Sequence, residues 1–316
     1  SLMYLSVCKK KDHFIFRAAL GAFALLAFSF AVNLFYRFTI PNGSFHVFAY
    51  WGALLSCLEM IRSGTTCFLD MHMFPQSSVM AAVDAGMRAV ISRGLSGGRD
   101  DPTGGERRLR EAIREYESSR SIPHLGFMLA PHAPYSCDEG YLREIASVAR
   151  EYNLGIHTHL SESTGEVENC LQSNGCSPIA LYDRCGLLDS HTVAAHCVHL
   201  SEEDIALLAE RGVNVAINSV SNLKLGNGIA PVPALQRAGV NLCLGTDGAS
   251  SNNALSMLRE MQFISLLHKG TQRDPLAVTA SEAFDMATVN GARALGLHGI
   301  CGEIAVGRSA DLAIFD

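Results

Sequence analysis

Seven short runs rich in β-branched and apolar residues recur along this chain, each leading into a stretch with helical spacing, and that rhythm restricts the fold more than any other feature. The runs fall at 65–71, 87–92, 125–129, 155–159, 192–195, 213–217 and 240–244. Helices are predicted over 50–62, 77–85, 106–117, 139–152, 201–211 and 233–237. In the first helix Leu54, Leu55, Leu58 and Ile61 keep helical spacing, and Ser63-Gly64 supplies the stop. Strict βα alternation gives a parallel sheet with right-handed crossovers, so the choice lies between a doubly wound sheet and a closed barrel. No Gly-x-Gly-x-x-Gly follows an early strand, which weakens the dinucleotide reading. A (β/α)8 barrel, α/β in class, places its active site where the strands end. Those ends here carry His132, His159 with Glu162, His196 and Asp247, although one of the eight strands is not legible.

The most informative end is Gly155-Ile156-His157-Thr158-His159-Leu160-Ser161-Glu162. Side chains two apart share one face of a strand, so His157 and His159 point the same way and Glu162 lies in the loop beyond them. That pattern suits a metal ligand with an acid or base beside it; a pair of core or surface histidines is the competing reading. Recurrence of ionisable residues at other strand ends favours the first. In Ala130-Pro131-His132-Ala133-Pro134-Tyr135 the prolines fix the backbone around His132, for structure or for substrate contact. In Val193-Ala194-Ala195-His196-Cys197-Val198-His199, His196 follows the strand directly and is preferred over His199. Gly245-Thr246-Asp247-Gly248 can bring a carboxylate close to a metal, or can be a turn or helix cap. The polar stretch from Ser221 to Gly228 reads as a shaping loop.

With 316 residues, 48% of them hydrophobic and 18% charged, the chain can bury one large core or two ordinary ones. A net charge of -6 without a long basic run argues against nucleic acid as a partner. The 10 cysteines form no Cys-x-x-Cys pair and read as reduced thiols of a cytoplasmic protein. Residues 1–46 are atypical. Lys9-Lys10-Lys11 precedes an apolar stretch, 14–36, whose one charge is Arg17. A membrane span and a signal peptide both fit it loosely, since Asn33 and Arg37 interrupt its far end and no small-residue cleavage site is evident. The segment reads as foreign to the fold, and a membrane partner is not favoured.

From about residue 47 to 316 the chain resembles the amidohydrolase superfamily, in the branch of methylthioadenosine/S-adenosylhomocysteine deaminases. The resemblance rests on Tyr50-Trp51-Gly52, Glu59-Met60-Ile61-Arg62-Ser63-Gly64-Thr65-Thr66, the four motifs above, the Ser221 to Gly228 stretch and the closing Gly307-Arg308-Ser309-Ala310-Asp311-Leu312. It implies a metal-dependent hydrolytic deaminase of a small nucleoside: S-adenosylhomocysteine, 5′-methylthioadenosine or 5′-deoxyadenosine. A triazine chlorohydrolase or guanine deaminase type is the alternative within the superfamily, and a non-catalytic remnant the alternative outside it. By the resemblance, His159 and Asp247 are ligands of one divalent metal, zinc before iron or manganese. Glu162 is the proton shuttle, and His196 holds the attacking water. His132 and Arg93 match nucleoside-contacting positions, and Arg108 is a looser match. The barrel would span 47–300 and a small β-sandwich would begin in 301–316; a homo-oligomer stays open.

Two departures accompany the resemblance. The His-x-His pair of the family's first strand and a ribose-contacting carboxylate segment are missing from 1–46, where the histidines are His13 and His46. Ile217-Asn218-Ser219 stands where relatives usually have His-Asn-Pro. The two ligands identified are one fewer than a typical catalytic zinc holds. A shifted reading frame would explain an abrupt loss of resemblance at unchanged length, and predicts His-x-His in another frame of the DNA encoding 1–46.

Overall fold

A computed structural model of the chain describes residues 43–315. The chain divides into two compact units, Ser1–Ala53 and Leu54–Asp316. Of the first, residues 43–53 are described, as part of helix α1 (Gly43–Arg62). The apolar stretch 14–36 and the missing strand with its His-x-His lie outside the described residues.

The second unit is built on one parallel sheet in chain order: β1 (Cys67–His72), β2 (Arg88–Leu95), β3 (Leu125–Pro131), β4 (Gly155–Leu160), β5 (Thr192–His196), β6 (Asn214–Ile217) and β7 (Asn241–Leu244). Each strand pairs in parallel with the next. The crossovers carry α2 (Pro75–Ala85), α3 (Pro102–Ser119), α4 (Glu139–Tyr152), α5 (Thr164–Asn174), α6 (Pro178–Arg184), α7 (Glu202–Glu210), α8 (Ser219–Lys224) and α9 (Val232–Arg237). After β7 come α10 (Ala249–Asn252), α11 (Met257–Gln272), α12 (Ala280–Ala287) and α13 (Val289–Ala294). All seven expected runs are therefore strands, in the parallel arrangement the alternation requires.

Side chains alternate between an inner face, where Val90, Met128, Val193 and Cys243 cluster, and an outer face packed under helices, as Ile91 and Ala89 are under Val79 and Ala82 of α2. Ser92 of β2 and His157 of β4 meet at 3.1 Å on the inner side, across the intervening β3. In a flat sheet these strands would lie about 9.6 Å apart, so the sheet curls inward. The segment after β7 is tied back to α1. Leu255 N donates to Glu59 Oε1 at 2.8 Å and Leu255 O accepts from Ser63 Oγ at 3.0 Å.

Three expectations differ from what is seen. Helix α1 starts at Gly43 rather than 50, since no capping residue or proline marks a boundary there. The Ser221 to Gly228 stretch is not all loop: α8 covers its first four residues, and at six residues is too short to show a period. Residues 301–315 contain no strand, so the start of a β-sandwich is not seen. Among the described residues no strand pairs with that segment. It is held instead by side chains, with Arg88 donating to Asp311 Oδ2 at 2.7 Å and to Ser309 Oγ at 3.2 Å. Among the described residues no helix is long and apolar enough to cross a membrane.

Candidate active site

The C-terminal ends of β4, β5 and β7 carry the chemistry, and each passes through left-handed backbone. Ser161 has φ +52°, His196 +74°, Cys197 +47° and Asp247 +61°. Such conformations cost non-glycine residues about 1–3 kcal/mol each and persist where the surroundings fix them. Here the fixing is explicit. Cys197 N donates to Leu160 O, while Val198 N and His199 N both donate to Ser161 O, each at 3.0 Å. Ser161 N and Glu162 N donate to the Glu166 carboxylate at 2.8 and 2.9 Å.

These turns bring Glu162 and four histidines to one rim. The His159 ring lies 5.0 Å from His132 and 5.4 Å from His196, centroid to centroid. Glu162 Oε2 is 3.7 Å from His196 Nε2, and Glu162 Oε1 accepts from Asn227 Nδ2 at 2.9 Å. Asp247 accepts from Ser221 Oγ and from Gly248 N, both at 2.6 Å. Tyr135, 61% exposed, sets its ring edge-on to His132 at 5.6 Å.

The hydrogen bonds of His157, His159 and His196 assign them the same tautomer. His159 Nδ1 donates to the His132 carbonyl at 2.9 Å and His196 Nδ1 to Asn222 Oδ1 at 2.8 Å. Ser92 Oγ gives its proton to Asp70 O, so His157 Nδ1 must be the donor in their 3.1 Å contact. His132 Nδ1 lies 3.0 Å from Ser136 Oγ, which is also 3.1 Å from Ala133 O. His157, His159 and His196 therefore keep the Nε2 lone pair. Burial, with neighbouring histidines adding to it, pushes His157 down to about 3 and His159 to about 4, and burial also lowers His132. Neutral imidazoles at neutral pH follow.

This donor chemistry suits a divalent metal: His159 has its tautomer locked by a carbonyl, as metal-binding histidines commonly do, and Asp247 is oriented by Ser221. The number of ligands does not close. Among the described residues no group of three or more His, Cys, Asp or Glu side chains is placed to hold a metal.

Of the residues singled out from the sequence, His132, His159, Glu162 and His196 come together, and Asp247 stands at the end of β7 with Ser221. Arg93 and Arg108 do not join them. Ser92 points inward, so Arg93 must point outward; it donates to Glu111 Oε2 of α3 at 2.8 Å and to Gly94 O at 2.7 Å. Arg108 is held by Asp101 Oδ2 and Ser96 O, each at 2.8 Å. The sequence reading missed Glu166, Asn222 and Asn227, which orient the catalytic candidates. A signal existed for the first: Ser163-x-x-Glu166 has the form of a helix capping box. The other two lie within the stretch read only as a shaping loop.

The comparisons with known proteins agree with this geometry. A 5-methylthioadenosine/S-adenosylhomocysteine deaminase of Moorella thermoacetica is 46% identical over 270 residues, covering 84% of this chain and 62% of that protein. A 5'-deoxyadenosine deaminase of Methanocaldococcus jannaschii is 42% identical over 274 residues, covering 84% of this chain and 64% of that protein. This chain thus spans less than two thirds of the length of these curated relatives. Among solved structures, a zinc-bound adenosine deaminase from Xanthomonas campestris superposes with a TM-score of 0.78 at 35% identity, over 84% of this chain and 60% of that one. An atrazine chlorohydrolase from Arthrobacter aurescens, at 23% identity and a TM-score of 0.75 over 82% of this chain and 62% of that one, shares the fold. The amidohydrolase family model matches residues 16–316, and this chain belongs to that family.

Proposed function

We propose that this chain belongs to a metal-dependent hydrolytic deaminase of adenosine-type nucleosides, acting on S-adenosylhomocysteine, 5′-methylthioadenosine or 5′-deoxyadenosine. The observation that carries the reading is Glu162 Oε2 at 3.7 Å from His196 Nε2, beside the neutral His159. The deaminase relatives at 42–46% identity supply the substrate class.

In this reading His196, with Nδ1–H held by Asn222, orients the attacking water by accepting a hydrogen bond from it at Nε2, and the water's other O–H faces Glu162. Glu162 takes a proton from that water and delivers it to the adenine ring nitrogen while the water oxygen bonds to the amino-bearing carbon. The remaining hydroxyl proton passes through the Asp247 carboxylate to the amino group, the C–N bond breaks as the C=O forms, ammonia leaves and an inosine-type product remains. A divalent metal held by His159 and Asp247, zinc before iron or manganese, would lower the pKa of a bound water to about 7. His132, at the mouth under Tyr135, is the candidate nucleoside contact. Arg93 and Arg108 would first have to leave Glu111 and Asp101 to reach a substrate. The same reading takes 47–300 as the greater part of a (β/α)8 barrel; the eighth strand and the further metal ligands it calls for fall outside the described residues.

The test is ammonia release and the adenine absorbance shift on the three nucleosides, with metal content measured alongside. Glu162→Gln should lower kcat by about 10²–10⁴-fold with bound metal unchanged, since a shuttle is not a ligand. Removing His159 or Asp247 should lose both. Full turnover in Glu162→Gln would remove the assignment, and triazine dechlorination without adenosine deamination would favour the chlorohydrolase reading. A chain that neither retains metal nor turns over nucleoside is the remnant that the short ligand count allows.

A further inference from the structure

We propose that Glu166 is a positioning residue that sets the Glu162–His196 pair by clamping the turn after β4. Its kinetic consequence rests on the deaminase reading; its structural one rests on geometry alone. Glu166 is 5% exposed and is the third residue of α5, where its backbone N donates to the N-cap Ser163 Oγ at 3.2 Å. A carboxylate at this position of a capping box ordinarily returns to the N-cap N–H. The Ser201–Asp204 box at the start of α7 does so. Glu166 instead reaches past Ser163. Its Oε1 accepts from Ser161 N at 2.8 Å and its Oε2 from Glu162 N at 2.9 Å.

Those two amides belong to the left-handed Ser161 and to the residue that bears the proton-transferring carboxylate. The Ser161 carbonyl in turn receives Val198 N and His199 N, and the Leu160 carbonyl receives Cys197 N. The ends of β4 and β5 are thus locked to one another, and the buried carboxylate closes the network on the side of β4. Both of its oxygens are used as acceptors, so no neutral isostere replaces it. A glutamine would set an NH2 group against one of the two N–H donors.

The test compares Glu166→Gln with Glu168→Gln, an exposed glutamate on the same helix. In Glu166→Gln, hydrogen exchange at the Ser161 and Glu162 amides should accelerate at least about tenfold. Its kcat should fall about 10–100-fold with KM within about twofold, because misplacing a catalytic group affects the reacting step more than binding. Glu168→Gln should change neither. If the glutamine variant does not fold, Glu166→Asp, charged but one methylene shorter, provides the same two readouts. Unchanged exchange at Ser161 and Glu162 overturns the clamp, and accelerated exchange with unaltered kcat overturns its positioning role. A parent chain without turnover counts against the deaminase reading, and the exchange measurement then decides the clamp by itself.

Discussion

β1 and β5 belong to one parallel sheet, yet all six residues of β1 are half-buried and all five of β5 are buried. Both bring polar side chains: Asp70 and His72 on β1, Thr192 and His196 on β5. The difference lies in coverage. β4 and β5 have a strand on each side and helices outside, whereas β1 ends the described sheet. His157, His159 with Glu162, and His196 sit on or just after the covered strands, while Asp247 follows β7, the other end strand of the described sheet. Burial on β4 keeps the His157 and His159 imidazoles neutral, and backbone hydrogen bonding between the ends of β4 and β5 maintains their left-handed turns.

The sharpest way to break this comparison is a matched pair of truncations. Ile156→Ala on β4, at a fully buried site, should cost about 3 kcal/mol, while Leu69→Ala on half-buried β1 should cost about half as much, both read by urea unfolding. Equal losses would show that β1 is packed as tightly as β4. A smaller effect is expected where the edge is tied to the C-terminal segment. Arg88, next to Cys67 in register, is 9% exposed and pairs with Asp311, 23% exposed. Asp311→Asn leaves the guanidinium without its charge partner and should cost about 1–3 kcal/mol, reduced from a fully buried pair by that exposure. Hydrogen exchange should quicken in β1 and β2 and stay slow in β4 and β5; uniform quickening would mean the regions are not distinct.

The smallest effect concerns pH. Burial raises the Asp70 carboxyl above its ordinary range, although the Ser78 hydroxyl, 2.6 Å away, and His72 pull it back. Between the unfolded pKa, about 3.9, and the raised folded one, the folded chain holds a proton that the unfolded chain has lost. Stability from this group is therefore complete below about 3.9 and is lost as pH rises through the folded value. Asp70→Asn should flatten that loss, gaining stability relative to the parent toward neutral pH and little at pH 3. A gain independent of pH would locate the effect in packing.

The sheet was legible because a parallel strand covered on both faces is a nearly continuous apolar run, as Thr192-Val193-Ala194-Ala195 is, and because its loops are short. The ionisable residues at strand ends were legible as types. What they touch was not. Period-two alternation from the inward Ser92 already turns Arg93 toward the helices, but fixing which parity faces inward takes a three-dimensional contact such as Ser92 with His157. Asn222 and Asn227 act on residues 26 and 65 positions away, a separation that no local pattern encodes. Glu166 carried a local signature whose usual meaning, helix capping, is only part of what it does here.

The tie between α1 and Leu255 also has a bearing on how the chain reaches its structure. Its two hydrogen bonds join residues 196 and 192 apart, so they can form only after all seven described strands have been synthesised. The β1 to β2 pairing, by contrast, spans about one crossover. Loop-closure entropy grows with the logarithm of separation, so the distant contact gains little until the intervening strands have condensed. The segment that leads from Asp247 into α11 is therefore expected to settle last during refolding, after the β4 and β5 ends have taken shape. Recovery of any activity should lag behind recovery of secondary structure by the time this join takes to close.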